Sequence, residues 1–176
     1  MFLDLLRQRR SIRKFTDDAI TAEQLEQLQE AVLRAPSSRG LDPWQFIFVS
    51  DPQVISALSK AKPHGAAFLE QAKLAVVIAA DPQRCDVWVE DCSIAAFCLQ
   101  LQASDSGLAS CWVQIRCRQH DEQQEAEDYV RQVVKLPEHM RVDAIIGIGV
   151  GDEEKPGHER EQLKWPRIHN QSFSES

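Results

Sequence analysis

The sequence predicts an α/β (α+β) fold in which helices flank a central sheet. Three observations support this: four short apolar runs are typical of strands, amphipathic segments separate them, and 176 residues suffice for one sizeable core. We therefore expect a single domain over residues 1–176. Its last part, residues 155–176, is polar and lacks hydrophobic periodicity, so we expect a C-terminal extension there.

Two amphipathic helices are predicted near the N-terminus. Residues 2–9 carry apolar side chains on one side, and residues 21–36 repeat leucine and valine at helical spacing. Thr21 and Gln24 have the spacing of a capping box at the start of the second helix, and Pro36 ends it.

A polar loop and two strands follow. The composition of "PSSRGLDP" indicates a loop, and "WQFIFVS" (44–50) has the pattern of a strand that is apolar on both faces, with Trp44 expected in the core. Asp51 followed by Pro52 is typical of a helix start. The branched apolar run at 74–81 predicts a buried strand.

The second half of the chain is predicted to hold a central helix and two more strands. Residues 87–106 are apolar around most of the helical circumference, which indicates a helix at the centre of the fold that ends at Gly107. Strands are expected at 108–116 and 142–152, with a surface helix at 121–137 between them.

The bulk composition argues against several classes of function. A net charge of −7 is unfavourable for nonspecific nucleic-acid binding, which needs an extended cationic face. The sequence contains no run of about 18 apolar residues typical of a membrane helix, and its start does not resemble a signal peptide. The five cysteines lack C-x-x-C spacing, so we expect free thiols in a cytoplasmic protein and no metal site.

No self-contained catalytic machinery is visible in the sequence. A P-loop is absent, no G-x-S-x-G elbow accompanies the five histidines, and the neighbouring Glu90 and Asp91 point apart on a helix. Gly147, Gly149 and Gly151 alternate within a strand and do not open a helix. They therefore indicate close packing against that strand rather than a dinucleotide fingerprint.

The strongest local signal is a basic cluster near the N-terminus. The stretch "RQRRSIRKF" (7–15) places five cationic side chains within eight positions of an otherwise acidic chain. Guanidinium groups match the geometry of a phosphate monoester, and the hydroxyl of Ser11 adds a donor. A solvated basic helix end, favourable against the helix dipole, is the alternative that charge alone leaves open.

Four segments together resemble the FMN-dependent nitroreductase family of NAD(P)H-dependent flavin oxidoreductases. They follow the family's order and spacing over nearly the whole chain: "RQRRSIRKF", "APSSRGLDPWQFIFV", "DCSIAAFCLQLQASDSGLASCW" and "LPEHMRVDAIIGIGVGDEEKP". The resemblance implies a three-layer fold with a central mixed sheet of four to five strands. It also implies an intertwined homodimer whose C-terminal segments are exchanged between subunits.

The resemblance further implies a set of FMN-binding residues. Arg9, Arg10 and Ser11 would hold phosphate and ribityl oxygens, and Arg13 would lie near the polar edge of the flavin or near the phosphate. Lys155 would complete the phosphate site, and the "PSSRG" loop would reach across from the other subunit. The strand from Cys111 to Gln114 would pass the flavin ring, with a main-chain N–H near flavin N5 around Gln114. The implied residues are Arg9, Arg10, Ser11, Arg13, Ser37, Ser38, Arg39, Cys111, Trp112, Gln114 and Lys155.

Two features depart from the family pattern. Many members read Asn-x-Gln-Pro-Trp where this chain has Gly-Leu-Asp-Pro-Trp at 40–44, so the side-chain amide that would meet the flavin is absent. The chain is also short between residue 81 and the central helix, where relatives carry an excursion over the substrate. The stretch "AKPHGAAF" (61–68) is a candidate for that role, with His64 either facing substrate or exposed in a loop.

The function implied by the resemblance is that of an NAD(P)H-dependent FMN oxidoreductase. Hydride would pass from NAD(P)H through flavin N5 to a nitroaromatic, a quinone or a similar small acceptor, in a ping-pong sequence. Because the flavin would carry the chemistry, no catalytic side chain is expected. The alternatives are a non-catalytic flavin-binding dimer, acting as a sensor or cofactor carrier, and a protein-interaction module whose basic cluster is only surface.

Overall fold

A computed structural model describes residues 1–173 and contains five helices and four strands. The helices are α1 (Phe2–Gln8), α2 (Ala22–Leu33), α3 (Pro52–Leu58), α4 (Trp88–Asp105) and α5 (Ala126–Val133). The strands are β1 (Trp44–Val49), β2 (Leu74–Ala80), β3 (Ala109–Gln114) and β4 (Arg141–Gly149). Short 3-10 turns lie at Ser38–Gly40, Ala67–Gln71, Arg160–Gln162 and Trp165–Arg167.

The four strands form one sheet in the order β1-β2-β4-β3, and each neighbouring pair is antiparallel. The sheet therefore differs from the mixed sheet that was expected. Strands β2 and β3, which α4 connects, run parallel to each other, but β4 inserts between them and pairs antiparallel with both. Among the described residues, parallel pairing is limited to the isolated bridge between Ser11 and Ser110.

Helices cover both faces of the sheet, which confirms the predicted α/β class and its three layers. One apolar cluster packs α2 and α4 against residues such as Val76 and Ile146, and it includes Trp44, the predicted core residue. A second cluster packs α3 and α5 against the opposite face, against residues such as Val77 and Ile145. Strand β2 is buried along its whole length because both faces are covered.

Local signals in the sequence explain most element boundaries. The capping box of Thr21 and Gln24 is present, with Thr21 Oγ1 accepting from the Gln24 N–H at 3.1 Å. Gly107, with φ of 74°, follows α4 as a left-handed residue, as predicted. The surface helix predicted at 121–137 is shorter in the structure, Ala126–Val133. It begins late because Asp121 Oδ1 accepts from the N–H groups of Gln123 and Gln124 and forms a turn.

The glycines of β4 allow side chains to approach its backbone, as their alternation predicted. A Cβ atom on Gly147 would lie 2.6 Å from Leu69 Cδ2, and one on Gly149 would lie 3.0 Å from Phe15 Cδ1. Phe15 belongs to the N-terminal segment, so Gly149 allows that segment to pack on the face of the sheet at the end of β4. None of the helices described between residues 1 and 173 has the length and hydrophobicity of a membrane-spanning helix.

Candidate functional site

The N-terminal segment after α1 is fixed to one end of the sheet. Ser11 forms a bridge to Ser110 in β3, and Phe15 forms one to Gly151 just beyond β4. The N–H of Ile12 donates to the Ser110 carbonyl at 3.1 Å. The start of β3 lies beside the end of β4, so these contacts fix the basic cluster at a defined corner of the fold.

A cavity of about 650 Å³ lies at this corner and gathers the predicted N-terminal site residues. Basic side chains and one hydroxyl form its polar wall, while leucines form its apolar wall. The lining residues are Leu3, Leu6, Arg7, Arg9, Arg10, Ser11, Arg13, Lys155, His158 and Leu163. A second cavity, of about 660 Å³, shares Arg9, Arg10 and Lys155, so the basic segment is accessible from two sides.

The charges of the first cavity are only partly compensated within the chain. Arg7 pairs with Asp4 at 2.9 Å. Arg9 and Arg13 form no ion pair with any residue between 1 and 173. None of the described residues that line the cavity is acidic. The cavity therefore presents net positive charge, which favours an anionic ligand.

Glu153 holds the two sides of the basic corner together. Its Oε1 accepts from the main-chain N–H of Arg13 at 2.6 Å and from Lys155 Nζ at 2.9 Å. Lys155 Nζ also donates to the Ser11 carbonyl at 3.1 Å. The Arg13 N–H, followed by Lys155, lowers the pKa of Glu153 to about 2. Glu153 thus remains ionised. It positions the side chain of Lys155 and the main chain of Arg13, which are both predicted cofactor-binding residues.

Strand β3 is an edge strand, and alternate backbone groups along it face away from the sheet. The Ser110 carbonyl faces away from β4, because it accepts from Ile12. Since orientation alternates along a strand, the N–H and C=O groups of Trp112 and Gln114 face the same way. The main-chain donor expected around Gln114 is therefore on the open edge of β3.

The side chains of Trp112 and Gln114 form a clamp at the end of β3. Trp112 Nε1 donates to Gln114 Oε1 at 3.0 Å, and Gln114 Nε2 donates to the Arg116 carbonyl at 3.1 Å. The Gln114 amide is thereby directed into the protein, while its backbone faces the open edge. Cys111 lies within the electrostatic field of the basic cluster, and burial raises the pKa of its thiol despite the opposing effect of Arg13.

The "PSSRG" loop lies away from both cavities of the basic corner in the same chain. The N–H of Ser38 donates to Asp91 Oδ1 of α4 at 2.8 Å, and the Arg39 guanidinium pairs with Asp86. The structure therefore does not bring Ser37, Ser38 and Arg39 together with the basic cluster within one chain.

Comparison with known proteins assigns the chain to a family. A model of the nitroreductase family matches residues 6–63, the part that carries the basic cluster and the "PSSRG" loop. A candidate NADH dehydrogenase/NAD(P)H nitroreductase of Archaeoglobus fulgidus is 32% identical over 176 aligned residues, which cover 97% of this chain and 98% of that protein. The chain belongs to the nitroreductase family.

Solved structures extend this assignment to the whole nitroreductase fold. An FMN-dependent nitroreductase of Clostridium difficile R20291 superposes with a TM-score of 0.96 at 44% identity, and the match covers 97% of this chain and 99% of that one. A candidate NADH dehydrogenase/NAD(P)H nitroreductase of Bacteroides thetaiotaomicron has a TM-score of 0.89 at 26% identity and covers 98% of both chains. The resemblance inferred from the four sequence segments is confirmed.

Asp42 of this nitroreductase forms hydrogen bonds within its own loop. It stands where many members have glutamine, and its backbone has a φ of 47°. Its carboxylate accepts from the Ser37 hydroxyl at 2.5 Å, and its N–H donates back to Ser37 Oγ at 3.0 Å. The side chain stabilises the turn, so it does not replace the missing amide.

His64 is exposed and lies outside both cavities of the basic corner. Its contact with substrate therefore stays a prediction.

Several residues at the basic corner are not among those predicted from the sequence. Arg7 belongs to the same basic run, and Glu153 lies two positions before Lys155, so both had a signal in the sequence. No pattern in the sequence indicated His158 and Leu163, because they reach the cavity only when the C-terminal segment folds over α1. That fold-back is fixed by Arg10, whose guanidinium donates to the Pro156 carbonyl.

Proposed function

We propose that this nitroreductase is an FMN-dependent oxidoreductase that transfers hydride from NAD(P)H to a nitroaromatic, a quinone or a similar small acceptor. The observation that carries the proposal is the basic cavity at the sheet corner, whose charge is only partly compensated. It combines Arg9 and Arg13, which have no ion pair within residues 1–173, with Ser11 and Lys155. This donor set fits the phosphate monoester of FMN, and the 44% identical Clostridium difficile relative is FMN-dependent by name.

Different residues of one chain would bind different parts of the cofactor. Arg9, Arg10, Arg13 and Lys155 would hold the phosphate, and Ser11 would donate to phosphate or ribityl oxygens. The open edge of β3 would lie along the flavin ring, where the main-chain N–H of Gln114 is available as a donor. Ser37, Ser38 and Arg39 would come from a second subunit, in agreement with their separation from the cavity within one chain.

FMN, when bound, would supply the redox chemistry, because a flavin can accept a hydride equivalent from NAD(P)H and pass it to an acceptor in a separate half-reaction. The contribution of the protein is orientation and electrostatics. A fixed N–H donor on β3 and the arginine charges stabilise negative charge on the ligand without needing an acid–base pair. The Trp112–Gln114 clamp supports this role because it fixes the end of the strand.

The homodimer belongs to this proposal because the site needs residues from two chains. Helix α4 carries Ile94 and Phe97 on its outer face, 43% and 41% exposed, and α1 exposes Phe2 and Leu3. A central helix with an apolar outer face favours burial against a second copy. We further propose that the C-terminal extension reaches the second subunit through the part after Leu163, where Trp165 and Ile168 are exposed, while Lys155 and His158 stay at the cavity of their own chain.

The single FMN-binding unit of residues 1–176 is proposed to act in the cytoplasm. All five cysteines are free thiols, which is the usual state in a reducing compartment.

The proposal is tested on the purified protein. We expect a yellow protein that NAD(P)H bleaches under anaerobic conditions, and denaturation should release a chromophore with the mobility of FMN. Addition of a quinone should give steady NAD(P)H oxidation, with parallel lines in double-reciprocal plots if the half-reactions are separate. A colourless protein that FMN does not reconstitute would contradict the proposal. A bound flavin that NAD(P)H does not reduce would support the sensor or carrier alternative.

A further inference from the structure

The loop of residues 37–42 has a backbone conformation that needs external support. Arg39, Gly40 and Asp42 have positive φ angles of 56°, 63° and 47°. Residues other than glycine rarely adopt this region, so two such residues in one short loop raise its energy. The hydrogen bonds between Ser37 and Asp42 stabilise the turn from within, and contacts from the rest of the protein fix the loop in place.

Asp91 supplies a buried contact of this kind. Its side chain is 3% exposed, and its Oδ1 accepts from the Ser38 N–H at 2.8 Å. Its Oδ2 accepts from the Cys85 thiol at 3.4 Å. Asp91 lies in the first turn of α4, where the helix dipole favours a carboxylate. Hydrogen bonds to a buried charged group are stronger than those between neutral groups.

The other link between the loop and the helix region is weaker. Arg39 pairs with Asp86, but their side chains are 63% and 79% exposed. Exposed ion pairs contribute little because solvent screens them and both side chains lose conformational freedom. Leu41 of the loop also packs against the apolar cluster that includes α4, but among the polar contacts of the loop with residues 86–91 the one to Asp91 is the stronger.

We infer that Asp91 is a positioning residue that holds the loop so that Ser37, Ser38 and Arg39 face the cofactor of a second subunit. The inference rests on the proposed function, because those three residues matter to the site only if FMN binds between two chains. Asp91 itself touches no cofactor in this arrangement and acts through the main chain of Ser38.

The first experiment compares Asp91→Ala with Asp91→Asn and Cys85→Ala. Asp91→Ala removes the acceptor for Ser38, Asp91→Asn keeps an acceptor oxygen, and Cys85→Ala removes only the thiol. Hydrogen exchange is measured at the N–H groups of Gly40 and Leu41, which donate to carbonyls of the same loop. We expect about 10-fold faster exchange in Asp91→Ala, with the other two variants close to wild type and β2 unchanged in all.

The second measurement is the affinity for added FMN. We expect Asp91→Ala to bind FMN about 10-fold more weakly, as for the loss of one charge-assisted hydrogen bond, and Asp91→Asn to restore most of the affinity. Rescue by asparagine separates a positioning role from a general need for a buried charge.

A second pair of variants covers the case in which Asp91→Ala does not fold. Ser38→Pro removes the donor N–H at the first position of a 3-10 turn, where proline is tolerated, and Ser38→Ala keeps the N–H but loses the hydroxyl. Faster loop exchange and weaker FMN binding in Ser38→Pro than in Ser38→Ala would support the inference.

Unchanged loop exchange in Asp91→Ala, or faster exchange with unchanged FMN affinity, would overturn the inference. These outcomes differ from failure of the proposed function, in which the wild-type protein itself binds no FMN. In that case the exchange comparison alone still supports or overturns the anchoring of the loop by Asp91.

Discussion

Lys155 Nζ donates to the Ser11 carbonyl at 3.1 Å, although the two residues lie 144 positions apart in the chain. The bond joins the N-terminal basic segment to the segment that follows the last strand. The phosphate site proposed at this corner would thus have side chains from both ends of the sequence. Its affinity for an anion therefore depends on tertiary structure as well as on the arginines.

The double variant Arg9→Ala/Arg13→Ala is expected to lose FMN while remaining folded. Neither guanidinium has an ion pair within residues 1–173, so their removal leaves no orphaned acid. Loss of two charge-assisted contacts should weaken FMN binding by about 100-fold or more. Titration with FMN measures the affinity and circular dichroism checks the fold. Lys14→Ala, next in the chain and outside the cavity, is the control, and FMN retained stoichiometrically by the double variant would show that the phosphate lies elsewhere.

Glu153 should stabilise the fold in a pH-dependent way. Its pKa is lowered to about 2, mainly by the Arg13 N–H, so ionised Glu153 favours the folded state. A group with a depressed pKa contributes stability above its unfolded pKa and loses it as the pH falls through the folded pKa. The difference in unfolding free energy between wild type and Glu153→Gln should be largest above pH ~5 and shrink toward pH ~2. Urea unfolding across this range measures it, and a difference that does not vary with pH would contradict the role of Glu153.

Asp143 should have the opposite effect on stability. It is 1% exposed, and burial raises the pKa of its carboxyl to about 6, while one oxygen lacks a hydrogen-bond partner within the described chain. The neutral form fits the folded state, so stability is lost as the pH rises from the unfolded pKa through the folded one. Asp143→Asn is expected to be more stable than wild type by up to about 3 kcal/mol above pH ~7 and similar to it near pH ~4. Denaturant unfolding at the two pH values checks this, and equal gains at both would exclude Asp143 ionisation as the cause.

Phe97→Glu should disrupt association between copies of the chain. Phe97 is 41% exposed on the outer face of α4, where a second copy is proposed to pack. A buried glutamate without a partner is costly, so the dimer should dissociate at micromolar concentration and FMN should be lost with it. Sedimentation measures the mass. Leu33→Glu on α2, at a residue that is 65% exposed, is the matched control and should leave the mass unchanged. A dimer that persists in Phe97→Glu would place the interface on another surface.

Gly147→Ala is expected to destabilise the protein. The added Cβ would meet Leu69 Cδ2 at 2.6 Å and Phe68 Cε2 at 2.9 Å, and both belong to the packed layer behind the sheet. Overpacking of this kind costs about 1–3 kcal/mol in unfolding free energy. Gly151→Ala is the comparison, because its nearest neighbour lies at 3.2 Å and needs to move by only a few tenths of an ångström. Thermal unfolding of both variants should show the larger loss at Gly147.

Local chemistry allowed the sequence to determine the elements of the fold. The Thr21 capping box, the glycine after α4 and the apolar runs of the strands act over a few residues, so they can be read from the sequence without the rest of the fold. The start of α5 was predicted too early because a side-chain turn at Asp121 competes with helix formation over the same residues. The basic cluster was visible because its arginines are neighbours in sequence.

Tertiary structure alone decided how these parts meet. The insertion of β4 between β2 and β3 makes the sheet antiparallel, and strand order depends on packing between residues far apart in the chain. The hydrogen bonds from the Arg13 N–H to Glu153 and from the Ser38 N–H to Asp91 also depend on the tertiary structure, since each joins residues that no local pattern connects. The sequence by itself determined which side chains are cationic and where helices and strands begin. The fold decided which cations remain uncompensated, because only packing brings their counter-charges near or keeps them away.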